Sequence, residues 1–113
     1  MNWFSAKVRV ACLIESSGVT RFMDSIHLFR ALDFDDAMNR AVQIGKQHEE
    51  DYVNADGERV RWRLAAIVSL DLLSEQLSDG VEVYSEPVDA GAEANVPFDR
   101  EFHPEESKPT QTL

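Results

Sequence analysis

Lys7 and Arg9 in one stretch, and Arg59, Arg61 and Arg63 in another, are the residues whose types and spacing come nearest to chemistry. Both runs alternate with apolar residues, so a two-residue period sets the five bases on one side of their strands and the apolar residues on the other. Guanidinium forks pair bidentately with phosphate or carboxylate, and such a face would bind an anion: a nucleotide, a phosphate metabolite or an acidic protein segment. The same spacing also suits a solvated strand face whose bases are balanced across strands by the chain's own acids, or screened by an acidic tail. The residues alone leave both readings open. Trp3 and His27 are expected near this face.

The other candidate groups are weaker. His48-Glu49-Glu50-Asp51 and Asp33, Asp35 and Asp36 concentrate carboxylates at the two ends of one helical stretch, but only His48 and Asp51 share a helical i, i+3 spacing. Helix capping explains them without a metal. His27, His48 and His103 fall in three different elements, with no metal-ligating or hydrolase spacing between them. Cys12, the only cysteine, sits on the apolar side of its strand and reads as a buried small hydrophobe, which excludes an internal disulfide. The serines lack a nucleophile-elbow context, and Gly18, Gly45, Gly57 and Gly80 are isolated, so no phosphate-cradling loop is present. No catalytic residue, metal site or cofactor is assigned, and the sequence leans away from an enzyme.

The elements that position these residues follow from periodicity. Phe4, Ala6, Val8, Val10, Cys12 and Ile14 alternate as the buried side of a strand over residues 3 to 14. Glu15-Ser16-Ser17-Gly18 supplies a turn, and residues 19 to 31 return as a second strand. There Ile26 and Leu28 share a side with Asp24 and Arg30, while His27 and Phe29 point the other way; a bulge would explain the mixture. Asp33 caps an amphipathic helix over about 34 to 50, with Phe34, Ala37, Met38, Ala41, Ile44, Gly45 and His48 inward, and Gly45 placed where the helix nears the sheet. After the turn Asn54-Ala55-Asp56-Gly57, residues 58 to 70 put Val60, Trp62, Leu64, Ala66, Val68 and Leu70 on one face. A short helical or irregular link, Asp71 to Asp79, leads past Gly80 to a last strand, Val81-Glu82-Val83-Tyr84.

The expected fold is therefore α+β, β-β-α-β-short helix-β: a mostly antiparallel sheet of about four strands with one main helix on one face. Residues 1 to 86 form the compact domain. Residues 87 to 113 hold all four prolines, six acids against two bases, and Val96, Phe98, Phe102 and Leu113 as isolated apolar residues, which reads as a disordered acidic tail. Phe98 and Phe102, four apart, are the residues by which it would dock.

A chain of 113 residues is one domain's worth. Twenty-one acids against eleven bases give a formal charge of −10, which repels nucleic acid and anionic membranes and makes nucleic-acid binding unlikely as a general activity. No apolar run approaches the length of a membrane span, no signal-peptide pattern opens the chain, and the single cysteine suits a reducing compartment, so a cytoplasmic protein is expected.

The combination Trp3-Phe4-Ser5-Ala6-Lys7, His27-Leu28-Phe29-Arg30-Ala31, Asp56-Gly57-Glu58 with Val60-Arg61-Trp62, and Asp79-Gly80-Val81-Glu82-Val83-Tyr84-Ser85 resembles a bacterial family labelled only as domain of unknown function 4288, over about residues 3 to 86. The resemblance implies a small bacterial cytoplasmic α+β domain and no reaction or ligand. It directs attention to Trp62, Glu82 and Tyr84, as packing or as partner-binding residues. One helix leaves the second face of a sheet to be polar, covered by the tail or buried against another molecule. The favoured reading is a non-enzymatic protein-interaction module that binds a protein partner or itself as a homodimer; an inhibitor or immunity-type protein is one form of it. The alternative is an anion- or nucleotide-binding domain using the Arg59, Arg61 and Arg63 strand face with Lys7 and Tyr84.

Overall fold

The computed structural model describes residues 1–89, 91 and 97–112; Val96 and Leu113, named above as tail apolar residues, lie outside the described residues. The order is β1 (Asn2–Ile14), β2 (Gly18–Ala31), α1 (Phe34–Gln47), β3 (Glu50–Val53), β4 (Arg59–Ser74) and a single 3-10 turn, η1 (Pro104–Glu106). The strands form one antiparallel sheet in the order β2-β1-β4-β3. The fold is thus α+β, as the residue pattern predicts, but two details are corrected. The fourth strand is Glu50–Val53, which forms a hairpin with the start of β4, and not Val81–Tyr84. The link expected over Asp71 to Asp79 as helical or irregular starts later and holds no helix: β4 continues to Ser74, and residues 75–79 are irregular.

Local chemistry sets these boundaries. The Asp33 carboxylate accepts from the Asp36 amide at 2.8 Å, and the Asp36 carboxylate accepts from the Leu32 amide at 2.8 Å, a reciprocal cap that starts α1. At the β3–β4 turn the Asn54 side chain accepts from the amides of Asp56 and Glu58, while Gly57 supplies the φ of 79° that the reversal needs. The helix ends at Gln47, so Glu50 opens β3 instead of closing α1.

The core lies between α1 and one face of the sheet. Phe4, Ala6 and Val8 of β1, Phe29 and Ala31 of β2, and Ala37 and Ala41 of α1 are buried together, with Ile44, Leu64, Ile67 and Leu70 packed around them. A Cβ at Gly45 would come within 2.6 Å of Leu64 Cδ1 and 3.2 Å of Val8 Cγ1, so the glycine lets the helix backbone close on the sheet.

Irregularities in β4 change which of its residues face this core. The β1–β4 register shifts three times, and each shift leaves one extra residue on β4: Ala65, Val68 and Leu73. The core side therefore runs Leu64, Ile67, Leu70, and Ala66 and Val68 leave the face that strict alternation gives them. In β2 the one irregularity lies at Thr20, whose hydroxyl donates to the Cys12 carbonyl at 3.2 Å. From Arg21 to Ala31 the pairing with β1 is unbroken, so the mixed side bearing Asp24, Ile26, Leu28 and Arg30 is real and not the product of a bulge.

Candidate functional site

The face of the sheet away from α1 holds all five candidate bases. Ala11 and Leu13 pair with Arg63 and Arg61, and Arg9 and Lys7 lie on the same side of β1, two and four residues before Ala11. Trp3 shares this face, with the Arg30 guanidinium 5.2 Å from its ring centroid. His27 does not: it points to the helix side, where its ring lies 5.1 Å from that of His48. Burial, and then the neighbouring His48, hold the His27 pKa below its ordinary value.

The bases form separate groups, each facing carboxylates of the same chain. Arg9 makes a two-pronged contact with Asp24 at 2.8 and 2.9 Å, and Lys7 lies 3.8 Å from the same carboxylate. Arg63 reaches Asp51 at 2.6 Å and Arg61 reaches it at 4.0 Å, while Arg59 lies 3.8 Å from Glu15. The hydrogen bond from Arg9 lowers the Asp24 pKa, and that from Arg63 lowers the Asp51 pKa, with burial opposing in each. A hollow of about 280 Å³ lies beside Arg59 and Arg61, walled by Leu13, Ile14, Glu15 and Gly18.

Residues 82 to 86 cross over this face. Having no backbone ladder of its own, the segment is held by side chains from β1. The Ser5 hydroxyl, on a buried residue, donates to the Val83 carbonyl. The Lys7 ammonium donates to Glu86 at 3.0 Å and to the Tyr84 hydroxyl at 3.4 Å, and the Tyr84 hydroxyl donates to Glu86 at 2.9 Å. The Lys7 ammonium also sits 5.0 Å from the Tyr84 ring centroid. Glu86, then Tyr84, raises the Lys7 pKa; Lys7, then Tyr84, lowers that of Glu86. Glu82 and Tyr84 line a groove against Asp71, Leu72 and Leu73. Trp62 is elsewhere: on the helix side of β4 its indole N–H donates to the Tyr52 hydroxyl at 3.1 Å, and Arg21 lies over its ring.

The rest of the same face, along β2, is mixed: Asp24 and Arg30 alternate with half-exposed apolar side chains, and the Arg9 guanidinium lies 5.8 Å from the Phe22 ring centroid. Phe22, Ile26 and Leu28 expose 55%, 44% and 43% of their surface, and β2 is an edge of the sheet with β1 as its one neighbour. Sequence reasoning found the five bases but missed Asp24, Asp51 and Glu86 as their partners, because those acids reach them only through strand register. The residue pattern sets Ile26 and Leu28 on the side opposite Phe29, but does not by itself single them out, with Phe22, as a surface. Phe98 and Phe102 are both exposed and do not dock on the sheet.

Cys12 is buried and free. Among the described residues no three His, Cys, Asp or Glu side chains gather as a metal site, and no helix is long and apolar enough to cross a membrane. A family model, described as a domain of unknown function (DUF4288), matches residues 3–85, from the opening of β1 to the segment crossing its outer face. No curated protein and no solved structure matches the chain.

Proposed function

Because the chain belongs to the DUF4288 family, a domain of unknown function, we propose a role read from its surfaces: it is a non-enzymatic protein-interaction module that works through the β2 side of its open sheet face. The observation that carries this is the division of that face. Over β1 and β4 the face is occupied by intramolecular ion pairs and by residues 82–86, whereas on the edge strand β2 the side chains of Phe22, Ile26 and Leu28 stay about half exposed, with Arg9 reaching over the Phe22 ring and Asp24 between Phe22 and Ile26. Proteins blunt such edges by shortening or covering them, and an uncovered apolar one serves as a contact surface. An anion at Arg59, Arg61 and Arg63 would instead have to displace Asp51 and Glu15 from bases they already face.

Photo-crosslinking in the host tests the reading. A benzophenone amino acid in place of Ile26 is expected to capture a discrete protein, while the same group in place of Gln43, on the exposed side of α1, captures none. Equal, diffuse labelling from both positions would overturn it.

A further inference from the structure

The interaction reading leaves the partner unnamed, and the β2 edge itself points to one. We infer that β2 pairs with β2 of a second copy, antiparallel about a two-fold axis at His27, which joins two four-stranded sheets into one of eight strands. The inference rests on the interaction reading and adds its partner and its register.

A two-fold pairing of identical strands is self-complementary: if residue i lies opposite j, then j lies opposite i. Directly opposed residues in an antiparallel pair also share a face, about 4.5–5.5 Å apart at Cβ, so each register is defined by one central residue. Centring on Asp24 sets that carboxylate against its own copy. Centring on Ser25 sets Asp24 against Ile26, and centring on Ile26 sets Asp24 against Leu28 and Arg30 against Phe22. Centring on Leu28 sets Arg30 against Ile26.

Centring on His27 sets opposite charges together and apolar residues together, and brings the His27 side chains to face each other on the helix side. Asp24, which its own chain already pairs with Arg9 and Lys7, then adds Arg30 of the second copy at both ends of the contact, and Ile26 faces Leu28 on either side of the axis. Just beyond the strand end Phe22 faces Leu32, itself 66% exposed. Outward from the axis the open face of the joint therefore reads apolar, ionic, apolar on both sides. Arg30 is available for this pairing: it makes no ion pair among the described residues and stacks only on Trp3. β2 is also long enough, since the overlap from Met23 to Ala31 is most of the strand. β3, the opposite edge, has four residues and no such run.

Sedimentation of the full chain is expected to show a reversible species of twice 12.8 kDa. Arg30→Glu should weaken it about tenfold, because both symmetry-related pairs turn from attractive to repulsive. In a single-cysteine scan of Met23, Ser25 and His27 with buried Cys12 left in place, oxidation should bridge two chains at position 27 and not at 23 or 25. A wild-type chain that stays at 12.8 kDa at every concentration overturns the inference without needing any variant to fold. A dimer bridged at 23 or 25, or one indifferent to Arg30→Glu, overturns the register. Capture of a different protein at position 26 by a monomeric chain would sink this inference while leaving the interaction reading intact, and diffuse labelling would sink the reading itself.

Discussion

The two faces of the sheet are built by different physics. Under α1 the contacts are apolar and close: Phe4, Ala6, Val8, Phe29 and two helix alanines exclude water, and the Phe34 ring meets Phe4 edge-on at 5.2 Å. On the other face the contacts are ion pairs, one buried serine hydroxyl and a short crossing segment, and along the β2 margin Phe22, Ile26 and Leu28 are left about half exposed. The first face accounts for why the chain folds. The second holds most of what is left over for use, and the difference can be tested side chain by side chain.

The largest effect belongs to the helix side. Phe4→Ala removes a ring that is 1% exposed and should cost about 3–5 kcal/mol, read as a lower midpoint in denaturant with an unchanged slope. On the other face Ser5→Ala removes the hydroxyl that holds Val83 and should cost about 1 kcal/mol, with faster amide exchange confined to residues 82–86. Equal losses from the two variants would erase the distinction between the faces.

Smaller again are the titrations. Asp24, Asp51 and Glu86 have pKa values lowered by Arg9, Arg63 and Lys7, so the stability they contribute is present above the ordinary carboxylate range and is lost as pH falls through it. His27, lowered by burial and by His48, acts in a separate window: its contribution is intact above about pH 6.5 and falls as pH drops below that value, where the unfolded chain takes up the proton first. Thermal melts across pH 3 to 8 should show the upper step vanish in His27→Gln and the lower steps persist.

Which parts of this were legible in the sequence depends on the range of the interactions involved. The hairpin, the Asp33 cap, the turn at Gly57 and the close approach at Gly45 are local or nearly so, and the residues announce them. β4 misleads because its alternation is perfect as text; the extra residues Ala65, Val68 and Leu73 are defined only against β1. Val81-Glu82-Val83-Tyr84 has strand chemistry, yet it joins no strand ladder and is held on the open face by the Ser5 and Lys7 side chains. β3 is hidden by the acidic end of α1, whose residues Glu50 and Asp51 continue the helical composition although the helix has stopped. Five bases on one face follow from a period of two. Their acids do not, because Asp24, Asp51 and Glu86 come from three other segments.

The claim that the β2 margin is a contact surface and not part of the core is tested most directly by Ile26→Lys, with melting temperature and sedimentation mass measured on the same sample. The account expects a mass that falls from twice 12.8 kDa to 12.8 kDa, and a melting temperature equal to that of the wild-type chain diluted until it is monomeric, because losing a bound copy lowers the melting point by mass action. A variant that melts far below the diluted wild type, or that stays at twice 12.8 kDa, would contradict it.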